Sequence, residues 1–234
     1  MERLDKILAN TGRWSRKEAR ELVRAGRVAV DGVTAQAADG KYDPAARFEV
    51  DGETVSGERL VSLMLHKPAG LVSATEDPRQ PTVLELLPQH LRRVGLFPAG
   101  RLDKDTEGLL LLTNDGPLAH RLLAPRHHVD KTYFVRVDGE LDGADAAAFA
   151  AGMMLEDGLV CLPAGLEVLE QPDTALVTLH EGKYHQIKRM LAARGKPVVY
   201  LKRLTMGPLM LDPVLERGEW RPLSAEEVAA LRQA

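Results

Sequence analysis

At 234 residues, 44% of them hydrophobic and 28% charged, the chain is long enough for one or two globular domains and too apolar to stay disordered. Its single cysteine, Cys161, excludes an intrachain disulfide or a cysteine-rich metal site, and the seven histidines have no metal-ligand spacing. The formal net charge of −3 gives no overall attraction to phosphate, so any nucleic-acid contact must come from local clusters of cations.

No apolar run approaches the roughly 18 residues of a membrane span. Met1 to Lys6 is charged and lacks the apolar core of a signal peptide. A cytoplasmic protein without membrane contact is expected, with no metal and no cofactor.

Residues 1–59 read as a small module. Leu4, Ile7 and Leu8 recur at helical spacing, and Gly12 is the expected stop. Ser15 suits the N-cap of a second helix, with Glu18 completing a capping box. Ala19, Leu22 and Val23 give that helix an apolar face, which Gly26 ends. A short strand then runs from Arg27 through Val28 to an Asp31-Gly32 turn. Arg3, Lys6, Arg13, Arg16, Lys17, Arg20, Arg24 and Arg27 face only Glu2, Asp5, Glu18 and Glu21, an excess of four positive charges in 27 residues. Such a surface either carries solvated i,i+4 ion pairs or follows a phosphate backbone.

The order Arg3-Leu-Asp-Lys-Ile-Leu, then Gly12-Arg-Trp-Ser-Arg-Lys-Glu-Ala, then Gly26-Arg-Val-Ala-Val-Asp-Gly resembles the S4 RNA-binding motif. The resemblance implies RNA contact through Arg3, Lys6, Arg16, Lys17 and Arg20. Residues 42–59 are polar and turn-rich, with Asp51-Gly52 and Ser56-Gly57.

From residue 60 to 234 a second domain is expected. Val61 to Leu65 reads as a strand, ending at the turn Lys67-Pro68-Ala-Gly70. Thr132 to Val137 and Ala175 to Leu179 read as strands; Gly116 to Leu123, Ala144 to Ala151 and His185 to Arg194 read as helices. Strands and long helices do not alternate regularly, which argues against a doubly wound parallel sheet. The expected fold class is α+β, with a mixed, mainly antiparallel sheet preceded by the small α/β module.

The densest chemical signal is Gly100-Arg-Leu-Asp-Lys-Asp-Thr-Glu-Gly-Leu-Leu-Leu-Leu-Thr-Asn-Asp-Gly116. The apolar run Leu109 to Leu112 has to be buried, so the loop holding Arg101, Asp103, Asp105 and Thr106 is anchored at the edge of a core. Catalytic carboxylates favour such places, although aspartates that merely cap turns do too.

This stretch is similar to the signature of the RsuA branch of pseudouridine synthases. Three other blocks agree in order: His66-Lys67-Pro68-Ala-Gly70, Lys131-Thr-Tyr133-Phe-Val, and Glu181-Gly-Lys-Tyr-His185-Gln-Ile-Lys188-Arg-Met. The resemblance implies an enzyme that breaks the N1–C1′ bond of a uridine, turns the uracil and rejoins it through C5. It implies Asp103 as the catalytic carboxylate, Lys188 as its cation and Tyr133 as the active-site tyrosine. It places Arg101 where the family holds the extruded nucleotide, and Leu204 where the family has an apolar pocket residue. The late block is expected to bind RNA through Lys183, His185, Gln186 and Arg189.

Between Gly182 and Arg203 lie seven lysines and arginines and no acid, so cations do cluster despite the net charge. The stretches from Thr75 to Leu84 and from Pro125 to Tyr133, and the lack of a C-terminal basic tail, bring the resemblance nearest to branch members that act on 16S rRNA at uridine 516. The partner implied is ribosomal RNA in a small-subunit assembly intermediate, with the enzyme a monomer. Two alternatives are a synthase acting on 23S rRNA and a non-catalytic rRNA-binding assembly protein. A third is a glycosidic hydrolase using Asp103 with Asp105; an i,i+2 pair on an extended segment points apart, which disfavours it.

Overall fold

The computed structural model describes residues 1–11, 13–55, 60–124 and 129–234. The expectations resting on Gly12, on Ser56-Gly57 and on the stretch 125–128 lie outside them. The chain divides into two compact units: residues 1–61 with 84–97 and 113–115, and residues 62–83 with 98–112 and 116–234.

In the first unit, helices α1 (Leu4–Asn10) and α2 (Arg16–Arg24) pack on a four-stranded sheet. The capping box forms as expected: the Glu18 amide donates to Ser15 Oγ at 3.2 Å, and the Ser15 amide donates to the Glu18 carboxylate at 2.6 Å. Strands β1 (Val28–Val30) and β2 (Val33–Thr34) form a hairpin, as do β3 (Phe48–Val50) and β4 (Glu53–Val55). Both two-residue turns are Asp-Gly with positive φ at each residue: Asp31 51° and Gly32 80°, Asp51 56° and Gly52 80°. This left-handed pair matches the twist of the strands it joins. The core combines Leu4, Ile7, Leu8, Leu22 and Val23 from the helices with Val28, Phe48 and Val55 from the sheet.

The second unit is built on a mixed sheet. Its path runs β8 (Gly165–Val168), β9 (Thr174–Leu179), β7 (Lys131–Val137), β10 (Val198–Arg203), β6 (Glu107–Thr113), β5 (Ser62–Lys67), β11 (Trp220–Pro222). The pairs β8–β9, β9–β7, β7–β10 and β5–β11 are antiparallel, and β10–β6 is parallel. Every residue of β6 is buried, as a continuous Leu run in a central strand requires. Helices α3 (Gly116–Leu123), α4 (Gly143–Ala151), α5 (Gln186–Ala193) and α6 (Ala225–Gln233) flank the sheet in sequence. The α+β reading holds.

Candidate active site

The loop at residues 101–106, which leads into β6, is fastened by its backbone. Lys67, at the end of β5, is wholly buried. Its Nζ donates to the carbonyls of Pro68 (2.9 Å), Lys104 (3.3 Å) and Thr106 (2.9 Å). Burial pulls the Lys67 ammonium down to about 8, against the opposing pull of Asp105, Asp103 and Glu107. The Gly70 amide donates to the Lys104 carbonyl at 2.7 Å. Ser73 Oγ donates to the Leu102 carbonyl at 2.9 Å, and the Leu102 amide returns to Ser73 Oγ at 3.1 Å. A loop held by this many main-chain bonds can present a carboxylate in one fixed pose.

The carboxylate it presents is Asp103. Lys188 on α5 places its Nζ 3.2 Å from Asp103 Oδ2, and His185, which caps that helix, places Nε2 3.4 Å from Asp103 Oδ1. Lys188 also lies 2.5 Å from Asp105 Oδ1. Burial raises the Asp105 carboxyl, but the Lys188 hydrogen bond and charge outweigh it and leave it below the usual carboxylate range. The expectation that Asp103 and Asp105 point apart is therefore corrected. The segment turns, with the Thr106 amide donating to the Asp103 carbonyl at 3.1 Å, and both carboxylates reach one ammonium.

A cleft opens over Asp103. Tyr133 on β7 lines it, buried, beside Leu179 and Leu201 from the neighbouring strands. Arg101 lines it from the loop and is exposed. Leu204 is not among the lining residues. It follows β10 directly and is half-buried. Its amide donates to the Thr132 carbonyl at 2.8 Å.

The late basic block divides. Lys183, His185, Gln186 and Lys188 line the cleft. Gln186 is buried, and its amide is spent internally, accepting from the Lys183 amide (3.1 Å) and donating to Glu181 (2.7 Å). Lys183 Nζ lies 2.9 Å from Glu181, and Arg189 pairs with Asp157 at 2.6 Å.

In the first unit, Arg3, Arg16 and Arg20 converge on Asp5 at 3.1, 3.2 and 2.9 Å. The Asp5 side chain is fully buried, which raises its pKa, but the three guanidinium hydrogen bonds win and lower it to about 2. Lys6 pairs with Glu2 at 3.6 Å, while Lys17 and Arg24 stand exposed.

The RNA pseudouridylate synthase family model matches residues 61–193, more than half of the chain, and the S4 domain model matches residues 2–39. The chain belongs to the RNA pseudouridylate synthase family. An uncharacterised RNA pseudouridine synthase of Bacillus subtilis is 48% identical over 99% of this chain and 98% of its own. The ribosomal small subunit pseudouridine synthase A of Pseudomonas aeruginosa is 44% identical over 98% of this chain and all (100%) of its own. A crystal structure of a pseudouridylate synthase superposes with a TM-score of 0.70 at 36% identity, covering 99% of this chain and 100% of that one. The protein is thus an RNA pseudouridine synthase of the RsuA type, an isomerase, and the hydrolase and non-catalytic readings fall away.

The anchoring around this synthase's cleft was only partly legible. Lys67 stood in the first block without an assigned role and Ser73 was not singled out, because both act on main-chain carbonyls, which any residue supplies. Tyr184 stood within the late block without a role, yet it stacks on His185.

Proposed function

We propose that this synthase isomerises one uridine of 16S rRNA, uridine 516 by resemblance, with Asp103 as the carboxylate that acts on the nucleotide. The observation that carries the reading is the placement of Asp103 between Lys188 and His185, at the floor of a cleft walled by Tyr133. Whether a carboxylate adds to the base or assists departure at the sugar, it acts as an anion, and the Lys188 ammonium 3.2 Å away supplies its counter-charge. Tyr133 offers a ring to stack on uracil and a hydroxyl to move a proton as C5 gives up its hydrogen and N1 gains one. Arg101, exposed at the cleft, suits the backbone or gap left by the extruded base.

Residues 1–59 form the RNA-holding module and residues 60–234 the catalytic domain. The exposed cations of α2 support the first role. The small-subunit target rests on the full-length similarity to the Pseudomonas enzyme. An assembly intermediate is the natural substrate for a monomeric cytoplasmic enzyme that must reach a base before the subunit closes.

The test is tritium release from 16S rRNA labelled at uracil C5. Release by wild type, none by Asp103→Asn, and pseudouridine mapped to position 516 is the expected result. Release from 23S rRNA instead moves the substrate to the large subunit.

A further inference from the structure

We propose that Tyr184 is a stacking platform for a nucleobase flanking the extruded uridine, with His185 joining that platform to the reacting carboxylate. The proposal deepens the functional reading above and rests on it.

Four observations converge. First, the Tyr184 and His185 rings stack, with centroids 3.8 Å apart and planes 18° from parallel. Second, Tyr184 is 75% exposed, so the ring face turned away from His185 is in solvent. Third, His185 has φ 49° and ψ 33°, a left-handed conformation that a residue with a Cβ adopts at a cost. Holding His185 there aims its Nε2 at Asp103, 3.4 Å away, while its ring supports Tyr184. Fourth, the turn is rigid. The Gln186 amide donates to the Lys183 carbonyl at 3.1 Å, the Lys183 amide donates back to Gln186 Oε1 at 3.1 Å, and Gln186 Nε2 is tied to Glu181 at 2.7 Å.

Gly182, Lys183 and His185 line the cleft, and Tyr184 does not. The tyrosine therefore stands at the rim, outside the space that the target uracil would fill. A base taken from its stack leaves its neighbours with an uncovered face. An aromatic ring fixed at the rim covers one such face and accepts any base, because every base has a π-face. Only eight residues of the chain are Phe or Tyr, and this one is spent on the surface beside the chemistry. The chain around it, Gly182 to Arg203, contains no acid to repel the RNA backbone.

The experiment places 2-aminopurine immediately 5′ or 3′ of the target in an rRNA fragment that also carries tritium at the target C5. Stacking quenches this fluorophore. Binding of wild type and of Asp103→Asn is expected to quench it on one side. Tyr184→Leu is expected to lose that quenching and to raise KM roughly 10- to 100-fold, with kcat changed far less. Tyr184→Phe keeps a ring and rescues both readouts. Unchanged quenching and KM in Tyr184→Leu, or no quenching at either flank with wild type, overturns the platform. Quenching that depends on Tyr184 without tritium release by wild type leaves the platform standing and removes the substrate reading instead.

Discussion

At the scale of single residues, Lys67 is the side chain that anchors the loop of the proposed catalytic carboxylate. Three carbonyls accept from one buried ammonium, and two of them belong to the loop that carries Asp103. Lys67→Met removes the ammonium from all three carbonyls and leaves Lys104 only its bond from the Gly70 amide, and kcat is expected to fall roughly 10²-fold, since small misplacements of a reacting group cost that much. A variant with unchanged kcat would remove Lys67 from the positioning of Asp103. The pH dependence has a definite sign. The folded Lys67 loses its proton near 8 and an unfolded lysine near 10.5. Below pH 8 both states are protonated and the cost of burying the charge is constant. Between 8 and about 10.4 the unfolded chain holds more protons, so stability rises with pH in that window. The wild-type minus Lys67→Met difference in unfolding free energy should therefore climb by on the order of 3 kcal/mol from pH 7.5 to 10.5. Lys131, also lowered to about 8, has the same window but is present in both proteins and cancels. Above pH 8 a neutral amine has two N–H groups for three carbonyls, so kcat should also decline with an apparent pKa of about 8.

At the scale of elements, β6 and β10 meet closely at Gly108 and Arg203, directly after the loop that carries Asp103. Gly108 has φ 106°, and a Cβ there would sit 2.2 Å from the Arg203 carbonyl oxygen. Gly108→Ala can be relieved only by separating the parallel pair Arg203–Gly108. Loss of soluble folded protein, or a fall in Tm of more than 5 °C, is the expected outcome; a Tm within 1 °C of wild type would show that the pair tolerates separation. In the first unit, Asp5 ties α1 to α2 through Arg16 and Arg20. Its carboxyl is lowered to about 2, so its contribution is present above about pH 4 and is lost as pH falls through 2. Asp5→Asn should cost about 2 kcal/mol at pH 7 and close to nothing at pH 2, read by denaturant unfolding at both pH values. A gap that persists at pH 2 would assign the loss to packing.

Elements with local causes were legible in the sequence. Gly116–Leu123 is found with the bounds expected, and the capping box of Ser15 and Glu18 and the Asp31-Gly32 turn form as their residue types require. The second hairpin lay inside a stretch read only as polar and turn-rich, because β3 and β4 are three residues each and show no period. The helix Ala225–Gln233 went unread, although Ser224 and Glu227 form a capping box there, because its apolar face is narrow. At the site, Asp103, Lys188 and Tyr133 were legible through their motifs, and the structure brings all three to one cleft. The union of Asp103 and Asp105 on one ammonium depends on a turn that the sequence did not reveal.

At the scale of the whole molecule, a chain of net charge −3 must bind a polyanion through patches. The structure separates cations already committed to protein partners from those open to solvent. Arg3, Arg16 and Arg20 share one buried carboxylate, and Arg189 has Asp157. Lys17 and Arg24 are exposed on α2, and Arg24 lines a second cavity with Arg3 and Arg20. Counterion release makes the logarithm of affinity fall linearly with the logarithm of salt, with a slope of about −0.7 to −0.9 per phosphate contacted. In the background of Asp103→Asn, the variant expected under the proposal to bind without turnover, Lys17→Ala with Arg24→Ala should flatten that slope by about 1.5. Arg189→Ala should change it far less, because its charge is already matched by Asp157. Equal slopes for the double variant and its parent would mean that RNA follows another face of the protein, and a large change on losing Arg189 would mean that the ion pair with Asp157 opens when RNA arrives.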